Sequence, residues 1–198
     1  VHLSEGILSS PTLIGATVAS TPFLIKAFYG LSPEELPRIA AFSALFFIAS
    51  FVHIPIGPAS AHLLLSGLLG AILGIRAFAA IFIALLLQGL LFGYGGITTL
   101  GANALIIATP ALMARGLFVL SKRYPRVKHL FWFACGALPV GVSGILFAFI
   151  LFWDNSAFVG AATFVGVVHV PMLIAEGIIT LMMLRFLERT TPEVLEAE

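Results

Sequence analysis

Between Arg38 and Arg76, and again between Arg76 and Arg115, the chain carries no lysine, arginine, aspartate or glutamate, and the same holds from Leu130 to Trp153. Uninterrupted apolar stretches of this length cannot be folded into a water-soluble domain and hidden there. Hydrophobic residues make up 60% of the 198 and charged residues 10%, where a soluble domain has about 25% charged. The mean hydropathy is +1.12. A helix crosses the hydrocarbon layer with about 20 apolar residues, so the chain has room for about six or seven spans with short connections. The expected fold class is all-α, a polytopic membrane helix bundle of about seven transmembrane helices, with residues 1–198 forming one domain.

The spans are punctuated as follows. Ser9, Ser10 and Pro11 start the first, which reaches about Tyr29 before Gly30. The Leu31 to Pro37 loop leads to a second span from Arg38 to about Val52. From His53 to His62 two prolines and a glycine prevent regular helix, and irregular backbone at that depth needs cover from protein or a wet cavity. A third span runs from about Leu63 to Ile75 and a fourth from Ala77 to about Phe92. After the Gly93 to Gly96 break, Thr98 or Thr99 caps a fifth span reaching about Leu120. A sixth covers Leu130 to Trp153. The apolar region from Ser156 to Leu187 exceeds one span, and reads as a short helix or re-entrant piece followed by a seventh span from about Val170.

Lys122, Arg123, Arg126 and Lys128 form the most basic loop, which the positive-inside rule assigns to the cytoplasm. Counting outward from it puts the N-terminus outside and the C-terminus inside, in a prokaryotic cell membrane. Every histidine except His129 then falls on or near the outer face. No retained signal peptide is expected from the polar opening. A net charge of +1, with no basic face to track phosphates, speaks against nucleic acid as a partner. A phosphate loop is also missing, so any coupling to ATP must come from another subunit. No catalytic apparatus and no prosthetic group are evident. Cys135, in an apolar run, reads as a packing residue.

Histidine carries the chemistry. Imidazole suits nickel, cobalt, copper and zinc. A free amine at Val1, the deprotonated amide nitrogen of His2 and the His2 ring can form fused chelate rings, leaving one corner of a planar nitrogen set for a second imidazole. His62, after a rigid Pro-Gly-Pro turn on the same expected face, can supply it. The plainer alternatives are an accidental histidine at a disordered terminus for His2 and a helix-capping histidine for His62. His53 and His169, each opening a His-x-Pro sequence, are weaker candidates that also suit interface anchoring. Glu176 inside an apolar span is costly unless paired or functional. Gln88, Thr98, Thr99 and Asn103 are polar groups in apolar surroundings, suited first to interhelical hydrogen bonds. His53, Gln88, Thr99, Asn103, His169 and Glu176 therefore form a possible second shell. Gly15 and Ala19 permit close contact with a partner helix.

The His2 to Ser9 opening, the His53 to His62 turn, the Gln88 to Asn103 segment and the His169 to Gly177 segment, in that order, resemble the CbiM/NikM family, the substrate-binding M subunits of cobalt/nickel energy-coupling-factor (ECF) transporters. The resemblance covers nearly the whole chain. It implies the ECF substrate-binding fold and uptake of Ni(II) or Co(II), with a transmembrane T subunit, two ATPase subunits and a small additional membrane subunit as partners. It also implies Val1, His2 and His62 as the metal ligands. The family usually begins Met-His and this chain begins Val1-His2, a difference that backbone nitrogen ligation tolerates. Two other readings stay open: a membrane-embedded metal-dependent enzyme using His53, His62, His169 and Glu176, and a secondary transporter driven by an ion gradient through Glu176.

Overall fold

The structure is a computed structural model that describes residues 2–56, 59–155, 157 and 159–196. Its helices are α1 (Ser10–Phe28), α2 (Leu36–Ala49), α3 (Ser66–Leu73), α4 (Arg76–Phe92), α5 (Leu100–Arg123), α6 (Lys128–Asp154), α7 (Val159–Thr190) and the short α8 (Glu193–Glu196). The expected all-α membrane bundle is what forms, with seven principal helices. Three segments, Leu100–Arg123, Pro125–Asp154 and Thr163–Thr190, are individually long and apolar enough to cross a membrane, while α2 and α4 are shorter apolar helices.

The start of α1 agrees with the sequence reading, with Ser9 at its N-cap, Pro11 in its first turn, and Tyr29 and the left-handed Gly30 just beyond its end. Elsewhere the structure departs from it. Residues 53–56 and 59–62 are not irregular: β1 (His53–Ile56) and β2 (Ala59–His62) pair antiparallel, with His53 opposite His62. Prolines that forbid helix leave the backbone groups to be satisfied across a hairpin instead. The apolar stretch after Asn155 is one helix of 32 residues, not a short piece plus a span. Pro171 lies inside it, and removes one backbone donor without stopping the helix. Thr99 does occupy the N-cap of α5, but its side chain does not cap the helix.

α5, α6 and α7 pack consecutively, α3 sits against α5 and α6, and α1 and α2 pack on α4. Small residues set these distances. A Cβ on Gly67 would run into the Cys135 carbonyl, and one on Gly70 into the Ala111 carbonyl, so α3 lies with its backbone against α6 and α5. Cys135 is buried with its thiol on the Ala114 carbonyl at 3.4 Å. Large apolar side chains such as Ile14, Leu91, Ile145 and Met182 point outward, the arrangement expected where the surroundings are lipid.

Helix lengths are unequal. α2 has 14 residues and α4 has 17, against 27 in α6 and 32 in α7. At 1.5 Å per residue, α2 and α4 are about 21 and 26 Å long, and α6 and α7 about 40 and 48 Å.

Candidate metal centre

The residues ahead of α1 form an arm lying over one end of the bundle, held at three points. Leu3 is fully buried, worth about 2 kcal/mol of transfer free energy, and its backbone is gripped by one side chain. The Leu3 N–H donates to Asn103 Oδ1 at 2.8 Å, and Asn103 Nδ2 donates to the Leu3 carbonyl at 3.0 Å. Asn103 Nδ2 also donates to Thr99 Oγ1 at 3.2 Å. Next, the Glu5 carboxylate accepts from the Thr98 N–H at 3.2 Å and the Thr98 hydroxyl at 3.3 Å. Finally, the Ser9 N–H donates to both Asp154 carboxylate oxygens, at 3.0 and 3.2 Å.

The α4–α5 loop is shaped for this arm. Gly95 and Gly96 have φ of +79° and +112°, a region that side chains rarely occupy. A Cβ on Gly95 would come within 2.8 Å of Asn103 Nδ2, and one on Gly96 would collide with Glu5.

With Leu3 seated, His2 comes face to face with His62, the ring centroids 4.8 Å apart and the planes 15° from parallel. Both ring nitrogens of His2 are shielded from solvent and have no hydrogen-bond partner among the described residues. Stranded donors and acceptors of this kind are rare in folded proteins and call for an explanation. Burial, joined by the neighbouring His62 ring, holds the His2 pKa well below its ordinary 6.5, so the ring is neutral at neutral pH and able to donate a lone pair. His62 Nδ1 lies 3.1 Å from the Leu63 carbonyl. A carbonyl only accepts, so Nδ1 carries the proton and Nε2 is the lone-pair nitrogen, the usual way a second bond orients a ligating imidazole. Bonds of about 2.0–2.1 Å from a metal to each nitrogen require two donors within about 4 Å of one another, and the two ring centroids lie 4.8 Å apart.

Glu176 is fully buried in α7. Its carboxylate accepts from the Leu64 N–H, and from the Leu65 N–H at 3.0 and 3.1 Å. It thereby holds the backbone between His62 and α3, where Leu65 has a left-handed φ of +51°. His169 serves its own helix: Nδ1 donates to the Val165 carbonyl at 2.8 Å, and the ring lies against Gly144. Thr99 Oγ1 donates to the Gly96 carbonyl at 3.3 Å. Gln88 is fully buried, with neither amide atom partnered among the described residues.

The structure thus brings His2 and His62 together and sets Asn103, Thr99 and Glu176 to hold the segments that carry them. Val1 and the His53 side chain lie outside the described residues. Among the described residues, no group of three or more His, Cys, Asp or Glu side chains could hold a metal ion, so His62, His169 and Glu176 do not converge. Glu5 and Asp154 were not singled out from sequence. Their partners are backbone N–H groups and small hydroxyls far along the chain, and no spacing rule reports those.

A family model described as the cobalt uptake substrate-specific transmembrane region matches residues 2–194. A protein of Haemophilus influenzae named for metal transport is 36% identical over 200 residues, covering 98% of this chain and 97% of its own. A fused nickel transport protein, NikMN, of Rhodobacter capsulatus is 34% identical over 130 residues, covering 62% of this chain and 38% of its own. A crystal structure of a truncated transition metal transporter superposes with a TM-score of 0.84 at 26% identity, covering 95% of this chain and 98% of the other.

Proposed function

The chain belongs to the family of cobalt uptake substrate-specific transmembrane proteins, and from that premise we propose that it is the ion-capturing subunit of an ATP-driven ECF-type transporter for Ni(II) or Co(II). Residues 1–198 act as one transmembrane unit. The ligands are the Val1 amine, the His2 amide nitrogen and ring, and the His62 ring. Four nitrogens in a plane favour Ni(II). Asn103, Thr99 and Glu176 support the two histidine segments, and His53, Gln88 and His169 are the further candidates for that supporting role.

One observation carries this reading: a solvent-shielded His2 ring without hydrogen bonds among the described residues, stacked on His62, near the tip of an arm fastened at Leu3, Glu5 and Ser9. A metal ion takes up the lone pair of one of the two ring nitrogens. The histidine pair faces the outside of the cell membrane and the Lys122 to Lys128 loop the cytoplasm, in keeping with the positive-inside rule. Energy comes from partners, namely a transmembrane T subunit and two ATPase subunits, with a small additional membrane subunit. The fusion present in the NikMN relative supports a shared assembly. The enzyme reading is weaker, because the Glu176 carboxylate is occupied by backbone N–H groups.

Isothermal titration of the untagged protein with Ni(II) and Co(II) tests the site. Adding one residue ahead of Val1, or substituting His2→Ala, is expected to weaken binding more than about 100-fold, beyond the 10–100-fold typical of groups that only support ligands. Full affinity in the extended protein would remove the terminal amine from the site.

A further inference from the structure

At the end of the bundle opposite His2, the ends of α1 and α3, the starts of α2 and α4, and the side of α5 enclose a cavity of about 510 Å³. Its charged lining is one-sided: Lys26, Arg38, Arg76 and Arg115 face a single carboxylate, Glu35. Arg76 is already committed. Its Nε bonds Glu35 at 2.9 Å, and its other nitrogens donate to the carbonyls of Ala27, Tyr29 and Gly30. Lys26, Arg38 and Arg115 then have no ion-pair partner among the described residues.

Part of this charge has a structural use. Arg38 Nη2 donates to the Val194 carbonyl at 2.6 Å and to the Ile72 carbonyl at 3.3 Å, and Arg115 Nη1 to the Ala71 carbonyl at 3.2 Å, so that α3 has its end satisfied and α8 is tied to α2. Those uses take one nitrogen of each arginine. Arg38 Nε is shielded from solvent and unpartnered among the described residues, and the Lys26 ammonium has no hydrogen bond there either. Three cations with spare donors around one recess, one of those donors a shielded guanidinium nitrogen, offer an anion charge-assisted hydrogen bonds.

The depth of the cavity selects the kind of anion. α1 ends at Phe28, α2 starts at Leu36 and α4 at Arg76, so the recess lies where these apolar helices leave the hydrocarbon layer. α5 runs about 12 Å farther past Arg115, which sets the recess back from the basic α5–α6 loop into the layer of lipid headgroups. Tyr29, Ile39 and Ile75 line the same walls, and apolar walls beside cations suit an amphiphile. We propose that this cavity binds a phosphate group, carried by an anionic phospholipid of the leaflet at this end, with Lys26, Arg38 and Arg115 as its donors.

The test titrates the purified full chain in detergent with dioleoyl phosphatidylglycerol, dioleoyl phosphatidylcholine or inorganic phosphate and follows thermal unfolding. Phosphatidylglycerol is expected to raise the midpoint by about 5 °C, an effect lost in a Lys26→Gln/Arg115→Gln double variant and kept in Lys128→Gln and His2→Ala. Equal stabilisation by phosphatidylcholine, or an undiminished effect in the double variant, would overturn the site. Equal stabilisation by inorganic phosphate at matched concentration would overturn the lipid as its source. A second measurement needs no variant. In nanodiscs containing phosphatidylglycerol, acetylation of Lys26 should fall severalfold relative to Lys128, compared with phosphatidylcholine discs. Protection that arises only on adding an acidic protein partner would also overturn the lipid.

Discussion

Asn103 holds both backbone groups of Leu3 with one amide, so the placement of His2 depends on a residue a hundred positions away. Replacing it with leucine leaves a buried N–H and a buried carbonyl without partners, a cost of about 1–3 kcal/mol. Asn103→Leu is expected to lower Ni(II) affinity about 10–100-fold by titration calorimetry, with the helical circular dichroism unchanged. Unaltered affinity would mean that the Leu3 clamp does not set the metal centre. His2 and His62 were legible in the sequence because imidazole has few roles in an apolar chain. Asn103 and Glu176 were legible only as polar residues out of place. What each one holds was not legible, since the partners are main-chain groups of Leu3, Leu64 and Leu65, and backbone hydrogen bonds leave no mark on residue type.

The spans were readable from uncharged runs bounded by Gly30, Arg76, the Gly93 to Gly96 break and Asp154. α3 shows the limit of that reading. Composition makes a span of Leu63 to Ile75, but only Ser66–Leu73 is helical, because the left-handed backbone of Leu65, whose N–H Glu176 accepts from, and the positive φ of Gly74 bound it on either side. Eight residues do not make a stable helix alone. α3 persists through that carboxylate and through close seating at Gly67 and Gly70. Glu176→Leu strands both N–H groups and is expected to cost about 3 kcal/mol, seen as a lower melting midpoint in detergent. Glu176→Gln retains an acceptor oxygen and should lose less. Equal losses in the two variants would argue that side-chain volume, and not the hydrogen bonds, holds α3. The α7 reading failed because length alone suggested a break, whereas the stretch is one helix packed along its length on α6, and such packing outweighs the one donor missing at Pro171.

For the molecule as a whole, the arm ties α1 to the α4–α5 loop, to α5 and to the end of α6, so an ion joining His2 to His62 fastens several helices together. Ni(II) at a hundredfold excess over its Kd should add about 2.7 kcal/mol of stability, read as a raised melting midpoint. His2→Ala should abolish the increment, and a rise that survives this substitution would place the stabilising ion elsewhere. The unequal helices have a mechanical consequence. A hydrocarbon layer about 30 Å thick overreaches α2 and α4 and is overreached by α6 and α7, so annular lipid is compressed along one flank and stretched along the other. The elastic forces on the two flanks do not balance about the bundle axis. Unequal helices of this kind are accommodated by inclination or by local thinning and thickening of the lipid, each of which the bundle's own dimensions invite.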